Sequence, residues 1–429
     1  MDATTREAYI LKTLGRPSLR FWVVVGAAVG VLSWFLYAWS FALRYGLITT
    51  GIGDWGSGGG VPWGLFIGSY LWWIGIAHGG IIVSALVRLF NMADLRPVAR
   101  LAELLTIFAL SMAPMFILFH LGRPDRMVVS ILRAYPWAVF SSPLLWDVTV
   151  ITLYFILTAT YILLTIRRDL YAIRGKVPAL LAPMHWLLLF GYRPEEDEKV
   201  RGMAWWLALC LIILAPLFLH GGVIPWLFAV VGSSPGYYGP VQGPAFLSVA
   251  LISALSGIIV VAYIFRRVYG WEEVIPDAVF HRLTFFLIAV GMIFLWFQVQ
   301  ILLTGLYAPP SGVAAVTKAK VAEPAYWAAL GLVAIAIAYL GAQKIWPRLF
   351  SLHRTFIVAF FPLIATLMEK TLFVVEGNLE REFRIYRAMP GSYWPSWIEV
   401  SSLLATIALT VLLFMVVAKV IPVVEVKEG

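Results

Sequence analysis

Three side chains able to move protons or hold an anion crowd into two short strings of this chain. These are Phe116–Arg123, FILFHLGR, and Ser142–Val148, SPLLWDV. His120 closes one apolar run and Asp147 opens the next, with a short connection between them, so both belong at the same end of their helices. A neutral imidazole near a carboxylate exchanges protons close to neutral pH. Phe116, Phe119 and Trp146 supply aromatic walls around them. Such a pair suits the oxidation of a quinol, in which two protons leave as two electrons leave. The other reading of the pair is a structural clamp between helix ends. Arg123 either orients Asp147, holds a ring carbonyl, or reaches back to lipid head groups.

Two further ionisable residues lie well inside apolar runs, where charge is costly and functional by default. His78 stands in IGIAHGG and is a candidate proton relay, a haem ligand, or a partner for a backbone carbonyl. His120 and His220 are expected nearer one membrane face than His78, which leaves a haem without a second axial ligand at the same depth. Glu369, with Lys370 beside it, is a candidate proton carrier or one half of an ion pair. Gln298 and Gln300 are read as interhelical hydrogen-bonding groups.

The elements that must position these residues are membrane helices. The chain has 429 residues, 61% hydrophobic and 13% charged, with a mean hydropathy of +0.88. Soluble domains run nearer 45–50% apolar and about 25% charged. The net charge of +9 comes from Lys and Arg placed between apolar runs, which marks topology rather than a nucleic-acid surface. The single cysteine, Cys210, can form neither an intrachain disulfide nor the four-thiolate set of an iron–sulfur cluster. No metal site is expected.

A spanning helix needs about 20 mostly apolar residues. Ten runs qualify, from Phe21–Leu43 to Ile398–Ile421, of which Tyr326–Leu340 is the shortest. Val177–Phe190 is apolar but short and carries two prolines, so an interfacial piece is expected there. The Phe21–Leu43 run is too long for a signal-peptide core and is read as a retained helix. Lys and Arg are more than twice as frequent in the segments on the N-terminal side as in the opposite ones, which predicts both termini in the cytoplasm and His120, Arg123 and Asp147 on the outer face. The glycine-rich stretch Gly51–Gly60 lacks a phosphate-loop lysine and is read as a flexible outer cover.

A weak internal repeat pairs Ala77 with Ala254, Gly80–Val83 with Gly257–Val260, Phe116 with Phe294 and Phe119 with Phe297, which puts His120 opposite Gln298. The expected fold is an all-α integral membrane protein of about ten helices, in two parallel-repeat four-helix bundles with two flanking helices. The predicted divisions are 1–60 (first helix and cover), 61–231 (first bundle), 232–376 (second bundle) and 377–429 (outer loop and tenth helix).

Pro62-Trp63-Gly64, Ala77-His78-Gly79-Gly80, His120-Leu121-Gly122-Arg123-Pro124 and Ser142–Val148 together resemble the NrfD/polysulfide reductase membrane-subunit family, which includes membrane subunits of molybdenum-containing respiratory reductases and of alternative complex III. The motifs cover roughly Val61–Ile166. The resemblance implies a multi-pass subunit of a prokaryotic cytoplasmic membrane, with a quinone (menaquinone among the candidates) as cofactor and neither haem nor iron–sulfur cluster of its own. It implies His120 and Asp147 at the quinone, with Arg123 and Trp146 near them and His78 on a proton path; the rings of Phe116 and Phe119 and the buried Glu369 are added from the residues themselves. It implies a ferredoxin-like iron–sulfur subunit over the outer loops and a catalytic subunit, molybdenum-containing or part of an alternative complex III assembly. The second half departs from that pattern, with Gln298 opposite His120 and no clear counterpart of Asp147. The rival readings are a proton-coupled secondary transporter, against which matched helix breaks in both halves are missing, and a b-type cytochrome.

Overall fold

The computed structural model describes residues 8, 11, 13–15, 17–52, 63–231, 234–239, 241–307, 309–379 and 393–425. Among the described residues the regular structure is helical, and ten helices are long and apolar enough to cross a membrane. They are α1 (Leu19–Tyr45), α2 (Leu65–Arg88), α3 (Ala93–His120), α4 (Pro143–Ala172), α5 (Pro194–Ala229), α6 (Gln242–Tyr269), α7 (Asp277–Leu306), α8 (Pro324–Ile345), α9 (Leu352–Leu379) and α10 (Trp397–Val417). The ten-helix expectation holds, and the shortest run forms a full-length helix. Val177–Phe190 contains the short helix Ala182–Leu188, whose His185 Nε2 lies 2.6 Å from the Val420 carbonyl. Most of the glycine-rich cover, Pro62, and much of the loop expected at Gly377–Trp397 lie outside the described residues.

Local chemistry sets the helix ends. Ser18 caps α1 through its side chain, and Ser396 with Glu399 forms a capping box on α10. Pro143 and Pro324 sit in the first turns of α4 and α8, where a missing N–H costs nothing. Gly270 ends α6 in the left-handed region, at φ 66°.

In the packing order α2, α3, α4 and α5 touch in a cycle, as do α6, α7, α8 and α9. α2 also packs across on α6 and α9, while α1 and α10 pair with each other and α10 leans on α3. Small residues allow the close approaches. A side chain on Gly75 would meet the backbone of Ala250 at 3.3 Å, and one on Gly80 would meet Ala102, Glu103 and Thr106. One on Gly257 would meet Leu105, on the same stretch of α3. The most apolar stretch of α2 is 89% buried, against 17% for α1 and 22% for α7. α2 is therefore an interior strut, and nearly every side chain on it must face protein.

Two helices depart from regularity. α2 breaks at Ala77, between Leu65–Ile76 and His78–Arg88, and α5 widens into a π-helix over Leu214–Val223. Both lie in the first four-helix group, so among the described residues no matching pair of breaks relates the two halves.

Candidate functional site

The site is built on one face of α2. Phe66 and Tyr70 are four residues apart, hence stacked one turn above the other, and both are buried. The Tyr70 hydroxyl donates to Asp147 Oδ2. The other carboxyl oxygen, Oδ1, is buried with no hydrogen-bond partner among the described residues. The His120 ring lies 6.4 Å from the Phe66 ring, and its Nδ1 is likewise buried without a partner there. His120 and Asp147 thus flank the same turn of α2, a rise of about 6 Å. They do not hydrogen-bond to each other. The direct pair expected from the sequence is corrected to a Tyr70–Asp147 pair with His120 alongside, because α2 presents a phenol to the carboxylate.

Aromatic rings close the back of this region. Phe119 packs on Phe35 at 4.8 Å and Trp39 at 5.4 Å from α1, and on Phe116 at 5.7 Å. Phe116 is fully buried. Trp146 turns away, donating Nε1 to the Val139 carbonyl with its ring against Trp226 at 6.0 Å. Arg123 does not orient Asp147. It makes two hydrogen bonds to Asp125, at 2.9 and 2.8 Å, and both side chains are about 60% exposed. That contact holds the Asp125 carboxyl below its ordinary range and raises Arg123. The guanidinium starts a helix, Pro124–Ala138, whose first turn supplies a nearer carboxylate than α4 does.

From Asp147 a polar seam runs along α4 and α2 towards the other membrane face. Asp147, Tyr154, Tyr161 and Arg168 are seven residues apart, close to two turns, and so share a stripe. Tyr154 donates to the Ala77 carbonyl at 2.7 Å, at the break in α2. Tyr161 accepts from Arg88 Nε. Beside it, Ser84 donates to the buried Glu103 at 2.6 Å, and Thr106 accepts from the Gly80 N–H at 2.8 Å. A cavity of about 10 Å³ lined by Ser84, Glu103, Thr106, Thr158 and Tyr161 is near the size of one water. The seam ends on the buried Arg100–Asp169 pair, at 2.5 Å.

His78 stands midway along the seam, just past the break. Its Nδ1 lies 2.8 Å from the Ile74 carbonyl and its Nε2 lies 3.0 Å from that of Ala215. A neutral imidazole has one N–H and can donate to one carbonyl only, whereas the protonated ring satisfies both. With both nitrogens on carbonyls, His78 offers none to a metal. The expectation that His220 lies at a different depth is corrected. The π-turn of α5 brings its ring to 4.4 Å from His78, edge to face, and neither His220 nitrogen has a partner among the described residues. Glu369 pairs with Lys370 at 3.2 Å, and the Lys370 ammonium lies 3.4 Å from the Phe246 ring centroid. Gln298 is bound by the Tyr326 hydroxyl at 3.2 Å.

Tyr70 and Glu103 escaped the sequence reading, and His220 was read at the wrong depth. The sevenfold spacing of Asp147, Tyr154 and Tyr161 was available as a signal for the seam, and Glu103 is a carboxylate inside an apolar run. Nothing local announces Tyr70 among so many aromatic residues.

A family model described as polysulphide reductase, NrfD, matches residues 55–382. The chain is 31% identical over 266 residues to a putative dimethyl sulfoxide reductase membrane subunit of Halobacterium salinarum, covering 62% of this chain and 56% of that protein. It is 25% identical over 254 residues to a selenate reductase subunit of Mesobacillus selenatarsenatis, covering 58% of each. The matched region therefore spans a little over half the length of these curated relatives.

Proposed function

The chain belongs to the polysulphide reductase NrfD family, and we propose that it is the quinone-linked membrane subunit of a multi-subunit respiratory oxidoreductase. The names of its relatives, one a membrane subunit of a dimethyl sulfoxide reductase and the other a subunit of a selenate reductase, support a place beside a catalytic subunit of the molybdenum-containing kind. An iron–sulfur subunit is the partner that fits between them, docked on the membrane face that carries His120. In this reading that face is periplasmic, and both termini are in the cytoplasm.

One observation carries the proposal. Two buried proton-exchanging groups, His120 and Asp147, flank a single turn of α2, and each keeps one polar atom without a partner among the described residues, at Nδ1 and Oδ1. A buried polar atom left unpaired costs about 1–3 kcal/mol, so a site that keeps two is matched to a ligand bearing polar atoms. The Phe66, Phe116 and Phe119 rings supply the apolar surround that a flat ring needs. The residues present therefore fit a quinone or quinol. When bound, it supplies a two-electron, two-proton couple. Asp147 is then the proton acceptor or donor at Oδ1, held by Tyr70 through Oδ2, and His120 exchanges the second proton at Nδ1. Phe116 and Phe119 exclude water from that exchange.

The seam supports proton coupling in the same reading. The two carbonyls at the His78 nitrogens can each accept an N–H when a proton passes through the ring, and the neutral His220 ring beside it has one unprotonated nitrogen free to accept. Glu369, already paired with Lys370, is left a supporting place.

The test uses the purified complex with a water-soluble quinol. His120→Ala and Asp147→Asn should each lower quinol-linked turnover by about 10²–10⁴-fold. Electron transfer from an artificial donor to the catalytic subunit should persist in both. Full quinol turnover in both variants would overturn the proposal.

A further inference from the structure

A second, larger cavity lies at the opposite end of the seam, on the membrane face away from His120. Its volume is about 380 Å³, and it opens between the ends of α2, α3 and α4 and the first turns of α5. Five arginines line it, Arg88, Arg96, Arg100, Arg168 and Arg201, against three carboxylates. Two of these arginines are engaged by acids. Arg100 pairs with Asp169 at 2.5 Å and also reaches the Thr165 carbonyl, and Arg168 lies 3.8 Å from Asp197. Arg88 is different. It binds Tyr161 through Nε, lines the cavity, and has the Glu103 and Glu425 carboxylates acting on it only at longer range. Arg201 is exposed at the cavity wall. A guanidinium is a planar fork of donors that stays charged and matches phosphate oxygens.

Part of the wall is apolar. Val87, Leu164 and Trp205 line it, and the indole of Trp206 nearby is 63% exposed. The arginines sit towards the ends of α2, α3 and α4 and in the first turns of α5, near the depth where hydrocarbon gives way to head groups, and Leu164 and Trp205 lie about one turn deeper than Arg168 and Arg201. An inorganic anion has no use for an apolar wall, whereas a phospholipid places its phosphate among the arginines and its glycerol and first methylenes along Leu164 and Trp205. Basic pockets between membrane helices take anionic head groups in this way.

We propose that this cavity binds a phosphate-bearing anion and that its occupant is the head group of an anionic phospholipid, held by Arg88 and Arg201. The inference does not depend on the quinone reading, since no residue of the His120 site contributes to it.

The test is native mass spectrometry of the full chain purified in detergent and delipidated, with phosphatidylglycerol, phosphatidylcholine or inorganic phosphate added back. The expected result is retention of one phosphatidylglycerol, little phosphatidylcholine, and no displacement by millimolar phosphate. Arg88→Gln with Arg201→Gln should weaken phosphatidylglycerol retention by about tenfold or more. Arg201→Gln alone, at an exposed position that does not threaten folding, should weaken it less but measurably. Equal retention of both lipids, or retention unchanged in Arg201→Gln and in the double variant, would overturn the proposal. Displacement by inorganic phosphate would overturn the lipid as the occupant.

Discussion

The two ends of the α2–α4 seam each bury an aspartate of α4, and they treat it in opposite ways. At one end Asp147 meets a neutral phenol and keeps a carboxyl oxygen without a partner among the described residues. At the other, Asp169 meets the guanidinium of Arg100 at 2.5 Å, with side-chain exposures of 5% and 3%. A buried ion pair is held by mutual attraction, and removing one member strands the other charge in a poor solvent. A buried carboxyl on a phenol can change its charge without stranding a charged partner, because Tyr70 stays neutral. The ion pair is suited to holding helices together, and the carboxyl–phenol pair to exchanging a proton. Partner chemistry, not burial, separates the two roles.

The same substitution at both ends tests that contrast most strongly. Asp169→Asn should destabilise the protein by about 3–5 kcal/mol, visible as a large drop in the thermal unfolding midpoint in detergent. Asp147→Asn should leave that midpoint nearly unchanged, since the amide oxygen can still accept from Tyr70, and should act on turnover instead. Comparable unfolding midpoints for the two variants would dissolve the contrast.

A smaller effect is expected from the phenol itself. Tyr70→Phe removes the hydrogen bond that orients Asp147, worth about 0.5–1.5 kcal/mol. Quinol turnover should fall by about tenfold, with Asp147 still present to exchange its proton. Turnover as low as in Asp147→Asn would promote Tyr70 from a positioning residue to one that meets the ligand.

The smallest effect should come from Arg123→Ala. The guanidinium is exposed and engaged by Asp125, outside the buried site, and surface pairs of this kind contribute little. Quinol turnover should change by less than about twofold in a steady-state assay. A loss comparable to that of His120→Ala would return Arg123 to the site, against the geometry described above.

The sequence by itself determined the spans and the suspects. Twenty apolar residues in a row make a membrane helix wherever they occur, because backbone groups in hydrocarbon must bond within their own segment. Ten helices were therefore legible before any packing was known. The cost of burying charge marked His78, His120, Asp147 and Glu369 in the same local way. Tertiary structure decided the partners. Which side chain a buried group meets depends on how each helix is rotated and where its neighbours cross it, and no run of residues encodes that alone. So Asp147 faces Tyr70 rather than His120, because Tyr70 reaches across the four-helix group from α2 to α4 at that level. Arg123 is drawn off by Asp125 in a helix that the apolar pattern did not announce. His220 reaches His78 because a π-turn in α5 rotates it there, opposite a break in α2. Such departures from regular helix survive only where a neighbouring helix satisfies the freed backbone groups, as His78 and Tyr154 do here.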